Sequence, residues 1–267
     1  MAVAWLLLPV SWRWPLLPPL PSCVGLGAQK AGTTTLHALL SQHPQVHLPP
    51  QKELQFFSLH YAQGERWYRQ QFSAAQRGQI CGDITPYYLF HPWAPQRIAQ
   101  LIPKARLIVL LRDPVERTLS HYFHARRLGF EPLPLEQALA AEAQRLSGAE
   151  QVLQATDGRH KMHQECSYLS RSRYEQQLAR VQALFPAEQL LVLSSEALFA
   201  TPEPLWQQLL VFLELEPMAC PPLLAANAGR GEAGQVPENV RQKLRDQLAS
   251  TYTSIEQQWG IRWPIRR

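Results

Sequence analysis

At 267 residues the chain can bury a substantial core and fits one α/β domain, with no internal repeat or low-complexity tract. Its net charge of +5 at pH 7 is spread along the sequence, which suits a binder of a polyanionic nucleotide or an acidic glycan; no nucleic-acid motif accompanies it, so no nucleic-acid partner is expected. The 9 His and 4 Cys show no metal-ligand spacing, so no metal is expected, and Cys23, Cys81, Cys166 and Cys220 read most simply as reduced thiols.

Residues 1–21 mix Trp5, Trp12 and Trp14 with five prolines, and their apolar run Ala2–Val10 is too short and proline-broken to span a bilayer. They also lack the charged lead and small-residue cleavage site of a secretory signal. The segment reads as a partly disordered N-terminal arm, with no transmembrane segment, ahead of a folded domain over 22–267.

That domain opens on a short apolar run leading into Gly27-Ala28-Gln29-Lys30-Ala31-Gly32-Thr33-Thr34-Thr35 and then a helical pattern. A strand that turns through glycines into a helix N-terminus aims unpaired N–H groups and the positive end of the helix dipole at one spot. Lys30 lies inside the loop, and Thr33, Thr34 and Thr35 place hydroxyls on the first turn, so residues 29–35 form a candidate phosphate cradle. Gly27 and Gly32 have the spacing of the nucleotide loop G-x-x-x-x-G-K-[ST], but Thr33 stands where its lysine belongs and Lys30 comes three residues earlier. Three readings stay open at this point: a phosphate-binding loop of another kind, a magnesium-dependent kinase or nucleotidase, and a glycine turn without a ligand.

Further on, Lys52-Glu53-Leu54-Gln55-Phe56-Phe57 sets an ion pair or a working carboxylate before two aromatics that read as core. Gly82-Asp83-Ile84-Thr85-Pro86-Tyr87-Tyr88-Leu89 comes next, and then the apolar run Leu107–Leu111 predicts a buried parallel strand. Asp113 reads as an N-cap, Pro114 as the first helical residue and Glu116 as the completion of a capping box. Leu119 and Phe123, four apart, would face the core. Arg112 and Ser120 remain polar beyond the strand's carboxyl end, where open α/β sheets bind ligands, and are candidates for a second phosphate. Tyr174, Leu178, Val181 and Phe185 recur at near-helical spacing until Pro186, Leu190–Leu193 reads as another strand, and a helix runs from about Pro204 to Leu213. After a glycine-rich stretch over 227–234 with Arg230-Gly231, Pro237 to Trp259 reads as one or two helices with Leu244, Leu248 and Ile255 inward. The fold class is α/β: a single domain with a central parallel sheet flanked by helices, in a P-loop-like nucleotide-binding architecture.

These segments together resemble the sulfotransferase family, and within it the branch containing the heparan sulfate N- and O-sulfotransferases, from about Ser22 to Trp263. The resemblance implies that Gln29, Lys30, Ala31, Gly32, Thr33, Thr34 and Thr35 hold the 5′-phosphosulfate of 3′-phosphoadenosine 5′-phosphosulfate. Arg112 and Ser120, in Leu-Arg-Asp-Pro-x-x-Arg-x-x-Ser, would hold its 3′-phosphate, while Tyr174, Arg230 and Gly231 help enclose the nucleotide. Glu53 inherits the role of general base, which the chemistry requires because an attacking hydroxyl or amine must lose a proton. Lys30 joins it as the second catalytic residue. Lys52, Asp83, Tyr87 and Tyr88 would line an acceptor cleft, in which Ile84 replaces a lysine of the glycosaminoglycan enzymes and so removes a contact to an acidic sugar. The expectation is an enzyme, bacterial and cytoplasmic, that sulfates a carbohydrate acceptor, releases adenosine 3′,5′-bisphosphate and uses no metal. Its rivals are the magnesium-dependent kinase or nucleotidase and a non-catalytic nucleotide-binding protein.

Overall fold

The computed structural model describes residues 17–223 and 231–263. Five strands, β1 (Cys23–Gly27), β2 (Val46–His47), β3 (Ile80–Ile84), β4 (Arg106–Leu111) and β5 (Leu190–Ser194), form one sheet. Their order is β2-β3-β1-β4-β5 and every neighbouring pair is parallel. Central strands of such a sheet are covered on both faces and therefore need uninterrupted apolar sequence. β4 meets that demand, with Leu107 to Leu111 all buried and paired residue for residue with Leu190 to Ser194 of β5. Between β1 and β3 the packing is close: a Cβ on Gly25 would lie 3.0 Å from the Ile84 side chain.

The chain builds outward from β1 to β3 and then crosses to β4, so the sheet's direction of growth reverses between β1 and β4. Ligands of open α/β sheets bind at such a switch, beyond the carboxyl ends of the strands. Two helices start there: α1 (Thr33–Leu40) after β1 and α4 (Pro114–Arg127) after β4. Residues between them fold into α2 (Gly64–Gln70) and α3 (Ala94–Leu101); α5 (Leu135–Arg145), α6 (Ala149–Gln154) and α7 (Lys161–Glu165) follow α4. The C-terminal half adds α8 (Tyr174–Gln182), α9 (Ser195–Ala200), α10 (Pro202–Leu213), α11 (Glu238–Gln247) and α12 (Ala249–Trp259). α10 shows the usual origin of such helices: Leu205, Trp206, Leu209, Leu210 and Leu213 recur at helical spacing, and all five are buried against the sheet.

The expected single α/β domain is present, with small differences at the ends of elements. The helix expected from Pro204 begins at Pro202, and the one expected to run to Pro186 ends at Gln182, with Pro186 leading a short turn into β5. The stretch from 237 divides into α11 and α12 at Leu248, and Leu244, Leu248 and Ile255 are buried as expected. Leu119 is buried between α4 and α11, whereas Phe123 is only half-buried, against Tyr122 in a separate cluster that includes Tyr168. All four cysteines are free thiols. Among the described residues no helix is long and apolar enough to cross a membrane, and no His, Cys, Asp and Glu group is placed to hold a metal ion.

Candidate active site

The loop leaving β1 is tied into the sheet: the Ala28 amide donates to the Leu110 carbonyl (2.7 Å) and the Ala31 amide to the Ala28 carbonyl (3.1 Å). Lys30 (φ 71°) and Gly32 (φ 94°) both adopt the left-handed conformation. At Gly32 a side chain would be strained and crowded, because its Cβ would lie 3.1 Å from the Phe199 ring. Gly32 is also the N-cap of α1 and supplies no capping side chain, which leaves first-turn amides for a ligand. Thr33 and Thr35 are buried; Thr34 is half-buried and its Oγ1 accepts from Lys52 Nζ at 2.7 Å. The same ammonium donates to Glu53 Oε1 at 2.9 Å. Glu53, a left-handed residue (φ 61°) in the segment before α2, is thus coupled to the loop through Lys52.

The second half of the site stands at the end of β4. Arg112 donates from its guanidinium to the Lys30 carbonyl (3.1 Å), and its own carbonyl accepts from the Tyr174 hydroxyl (2.9 Å). Asp113 caps α4, accepting from the Glu116 amide at 2.9 Å. The reciprocal half of the expected capping box is not formed. Glu116 pairs with Arg241 instead, and Glu196 of α9 accepts from the Asp113 amide at 2.9 Å. Ser120 lies two turns along α4 and is half-buried.

Charge sets this region apart. Burial, reinforced by Arg127, Arg112, Lys52 and Arg117, lowers the Lys30 ammonium from 10.5 to about 8. Arg117 is fully buried, donating to Ser172 Oγ at 2.5 Å and to the Tyr168 carbonyl. Arg171 is also buried, with its guanidinium 4.8 Å from the Phe90 ring centre and 5.1 Å from that of Tyr87. It donates to Gln29 Oε1 in the loop and to the carbonyls of His163 and Gln164. Burial, with Arg171 and Arg117 nearby, holds His121 neutral, and burial with Lys30 and Arg127 lowers His124. Among the described residues, Lys30, Arg112, Arg117 and Arg171 form no ion pair, while Arg127 reaches Glu232 only at 3.9 Å. Buried or half-buried cations without carboxylate partners are costly, and an anion in the cradle would compensate them.

The structure links residues 29–35, Lys52, Glu53 and Arg112 at one end of the sheet, while Ser120 lies two turns along α4 with no hydrogen bond to them. Other expectations change. Asp83 and Tyr88 are corrected from cleft lining to core: both are buried, and Asp83 accepts from the hydroxyls of Thr85, Tyr68 and Tyr88. Tyr87 is buried too, its hydroxyl 2.8 Å from His163 Nδ1. Tyr174 is fully buried and spends its hydroxyl on the Arg112 backbone, so it supports the end of β4 from below. Arg230 lies outside the described residues, while Gly231 (φ 84°) leads a single turn over Glu232–Gln235. His91 is buried and pushed down to about 3 by burial, with Arg97 and Arg180 adding to it. Sequence reading missed Arg117, His121, His124 and Arg127. Their signal was present as a basic stripe at helical spacing on α4, shared with Ser120.

Comparison with known proteins bears on the family and the fold. The family model described as "Sulfotransferase domain" matches residues 24–219. The chain is 39% identical over 106 residues to membrane-associated sulfotransferase kil1 of Dictyostelium discoideum, covering 39% of this chain and 22% of that protein. It is 26% identical over 234 residues to heparan sulfate glucosamine 3-O-sulfotransferase 5 of Mus musculus, covering 81% of this chain and 60% of that one. The chain therefore spans less than two thirds of either relative. A solved sulfotransferase from Alicyclobacillus acidocaldarius superposes with a TM-score of 0.72 at 24% identity, covering 90% of this chain and 95% of the other, a likeness of fold.

Proposed function

This chain belongs to the sulfotransferase domain family, and from that premise we propose that it transfers a sulfuryl group from 3′-phosphoadenosine 5′-phosphosulfate to a hydroxyl or amine of a carbohydrate acceptor. One observation carries the reading: unpaired cations gather at two anchor points, Lys30 in the loop and Arg112 beyond β4, joined by a hydrogen bond. A donor with phosphates at both its 5′ and 3′ positions fits two such anchors, and the carbohydrate acceptor follows the printed names of the heparan sulfate relatives. A magnesium-dependent kinase is the weaker reading, because Thr33 occupies the place of its loop lysine.

The donor, when bound, supplies an electrophilic sulfur and a phosphate leaving group. Lys30 and the amides of Gly32 to Thr34 stabilise the charge that builds on the leaving oxygen, as preorganised donors do. Arg112 and Ser120 hold the 3′-phosphate. Glu53 takes the proton of the acceptor as the new bond to sulfur forms and the bond to the phosphate oxygen breaks. Lys52 binds Glu53 Oε1 and fixes the carboxylate beside Thr34. Because the cysteines are free thiols, with three of them buried, the protein is read as working in the cytoplasm, with residues 22–267 as its sulfotransferase domain and 1–21 as an arm.

Labelled sulfate transfer to a panel of glycans tests the proposal. Wild type should label at least one glycan, and Glu53→Gln should lower turnover about 10²–10⁴-fold, the range of general-base catalysis, while adenosine 3′,5′-bisphosphate still binds. Near-normal turnover in that variant would remove Glu53 from the mechanism, and His60 would then be the candidate base.

A further inference from the structure

The turn that carries Glu53 is an unusual piece of backbone. Glu53 (φ 61°) and Gln55 (φ 55°) are both left-handed, a conformation that non-glycine residues hold only when their surroundings fix it. Two residues after Glu53 the Gln55 amide donates to Thr85 Oγ1 (3.4 Å), and two further on the Phe57 amide donates to the Tyr88 hydroxyl (3.3 Å). Both hydroxyls pass their own protons to one carboxylate: Thr85 Oγ1 donates to Asp83 Oδ1 at 2.7 Å, and Tyr88 to Oδ2 at 2.8 Å. Tyr68 of α2 adds a third donor to Oδ2 at 3.0 Å. Asp83 itself is buried.

We propose that Asp83 is a positioning residue whose carboxylate clamps the C-terminal side of the Glu53 turn at two points, through the Thr85 and Tyr88 hydroxyls. The warrant is the polarity of the relay. An ionised carboxylate is acceptor-only, so it holds both hydroxyl protons and leaves a lone pair of each hydroxyl oriented toward its backbone amide. Burial raises Asp83 to about 6, against the hydrogen bonds from Thr85, Tyr88 and Tyr68, which favour its ionised form. An amide at this position would turn an N–H toward one of the hydroxyls. That hydroxyl would then lose the acceptor that orients its proton, and its lone pair would no longer be held on the backbone amide.

The proposal rests on Glu53 as the base, but its test separates the two ideas. Thr85→Val removes the relay hydroxyl with little change of shape, Thr85→Ser keeps it, and Asp83→Asn reverses the relay's polarity. In Thr85→Val the Gln55 amide should exchange with solvent about tenfold faster than in wild type, the effect of losing one hydrogen bond, and Thr85→Ser should restore protection. Turnover should fall about tenfold in Thr85→Val and recover in Thr85→Ser, with the Kd for adenosine 3′,5′-bisphosphate unchanged in both, and Asp83→Asn should lower turnover in the same way. Unchanged Gln55 exchange in Thr85→Val, or a loss that Thr85→Ser does not rescue, would overturn the clamp. The exchange readout holds whether or not Glu53 is the base, so failure of the clamp and failure of the base give different results.

Discussion

Lys30 concentrates the chemistry of the site in one side chain. Its ammonium is half-buried, its backbone is left-handed, and its carbonyl accepts from Arg112. Burial, reinforced by Arg127, Arg112, Lys52 and Arg117, lowers it to about 8, so in the free protein it is mostly charged at pH 7 and mostly neutral at pH 9. A bound phosphate favours the charged form and raises that value again. Binding of adenosine 3′,5′-bisphosphate should therefore take up close to one proton per site above pH 8 and weaken as pH climbs further. Titration calorimetry in two buffers of different ionisation enthalpy measures the uptake directly. Lys30→Met should abolish both the uptake and the pH dependence; uptake that survives the substitution would assign the proton to another group.

At the scale of elements, α4 is the piece that must be held still, since Arg112 precedes it and Ser120, His124 and Arg127 ride on it. Its N-terminus is fixed by Asp113, which caps the first turn, accepts from the Tyr252 hydroxyl of α12 at 3.0 Å and is itself bound by Glu196. Its flank is pressed by Leu244 and Leu248 against Val115 and Leu119. Asp113→Ala should cost about 1–2 kcal/mol of stability as a lost cap, measured by urea denaturation, and should weaken bisphosphate binding along with it. A variant equally stable but weaker in binding would mean that Asp113 acts on the ligand rather than on the helix. Much of this element is legible in sequence because its signals are local: an apolar run, then Asp-Pro, then Glu three residues after the cap. What is not legible depends on long separations. Glu116 finds Arg241, 125 residues away, and the cap's other half comes from Glu196, 83 residues away. Asp83 looked like a cleft residue because nothing beside it in sequence shows that Tyr68, on α2, completes its burial. The motifs locate the site, whereas partners brought in by the fold decide which polar groups face a ligand and which are consumed in holding it open.

Over the whole molecule the arrangement trades stability of the free protein for affinity toward a polyanion. The chain carries a net +5, and among the described residues Lys30, Arg112, Arg117 and Arg171 converge beyond β1 and β4 without a carboxylate partner in ion-pair contact. Mutual repulsion and desolvation of such charges weigh against folding until an anion arrives. Ligand present at 100 times its Kd stabilises a protein by about 2.7 kcal/mol, which for a chain of this size is a rise in Tm of roughly 5–10 °C. Adenosine 3′,5′-bisphosphate should give a shift of that order in a thermal melt, and adenosine 5′-monophosphate at the same concentration a smaller one, because it leaves Arg112 and Ser120 without their phosphate. Arg112→Ala should bring the two shifts together by lowering the first and leaving the second nearly unchanged. If the variant lowered both equally, Arg112 would serve the loop through its bond to the Lys30 carbonyl, and the 3′-phosphate would have to be read by other residues of the α4 stripe.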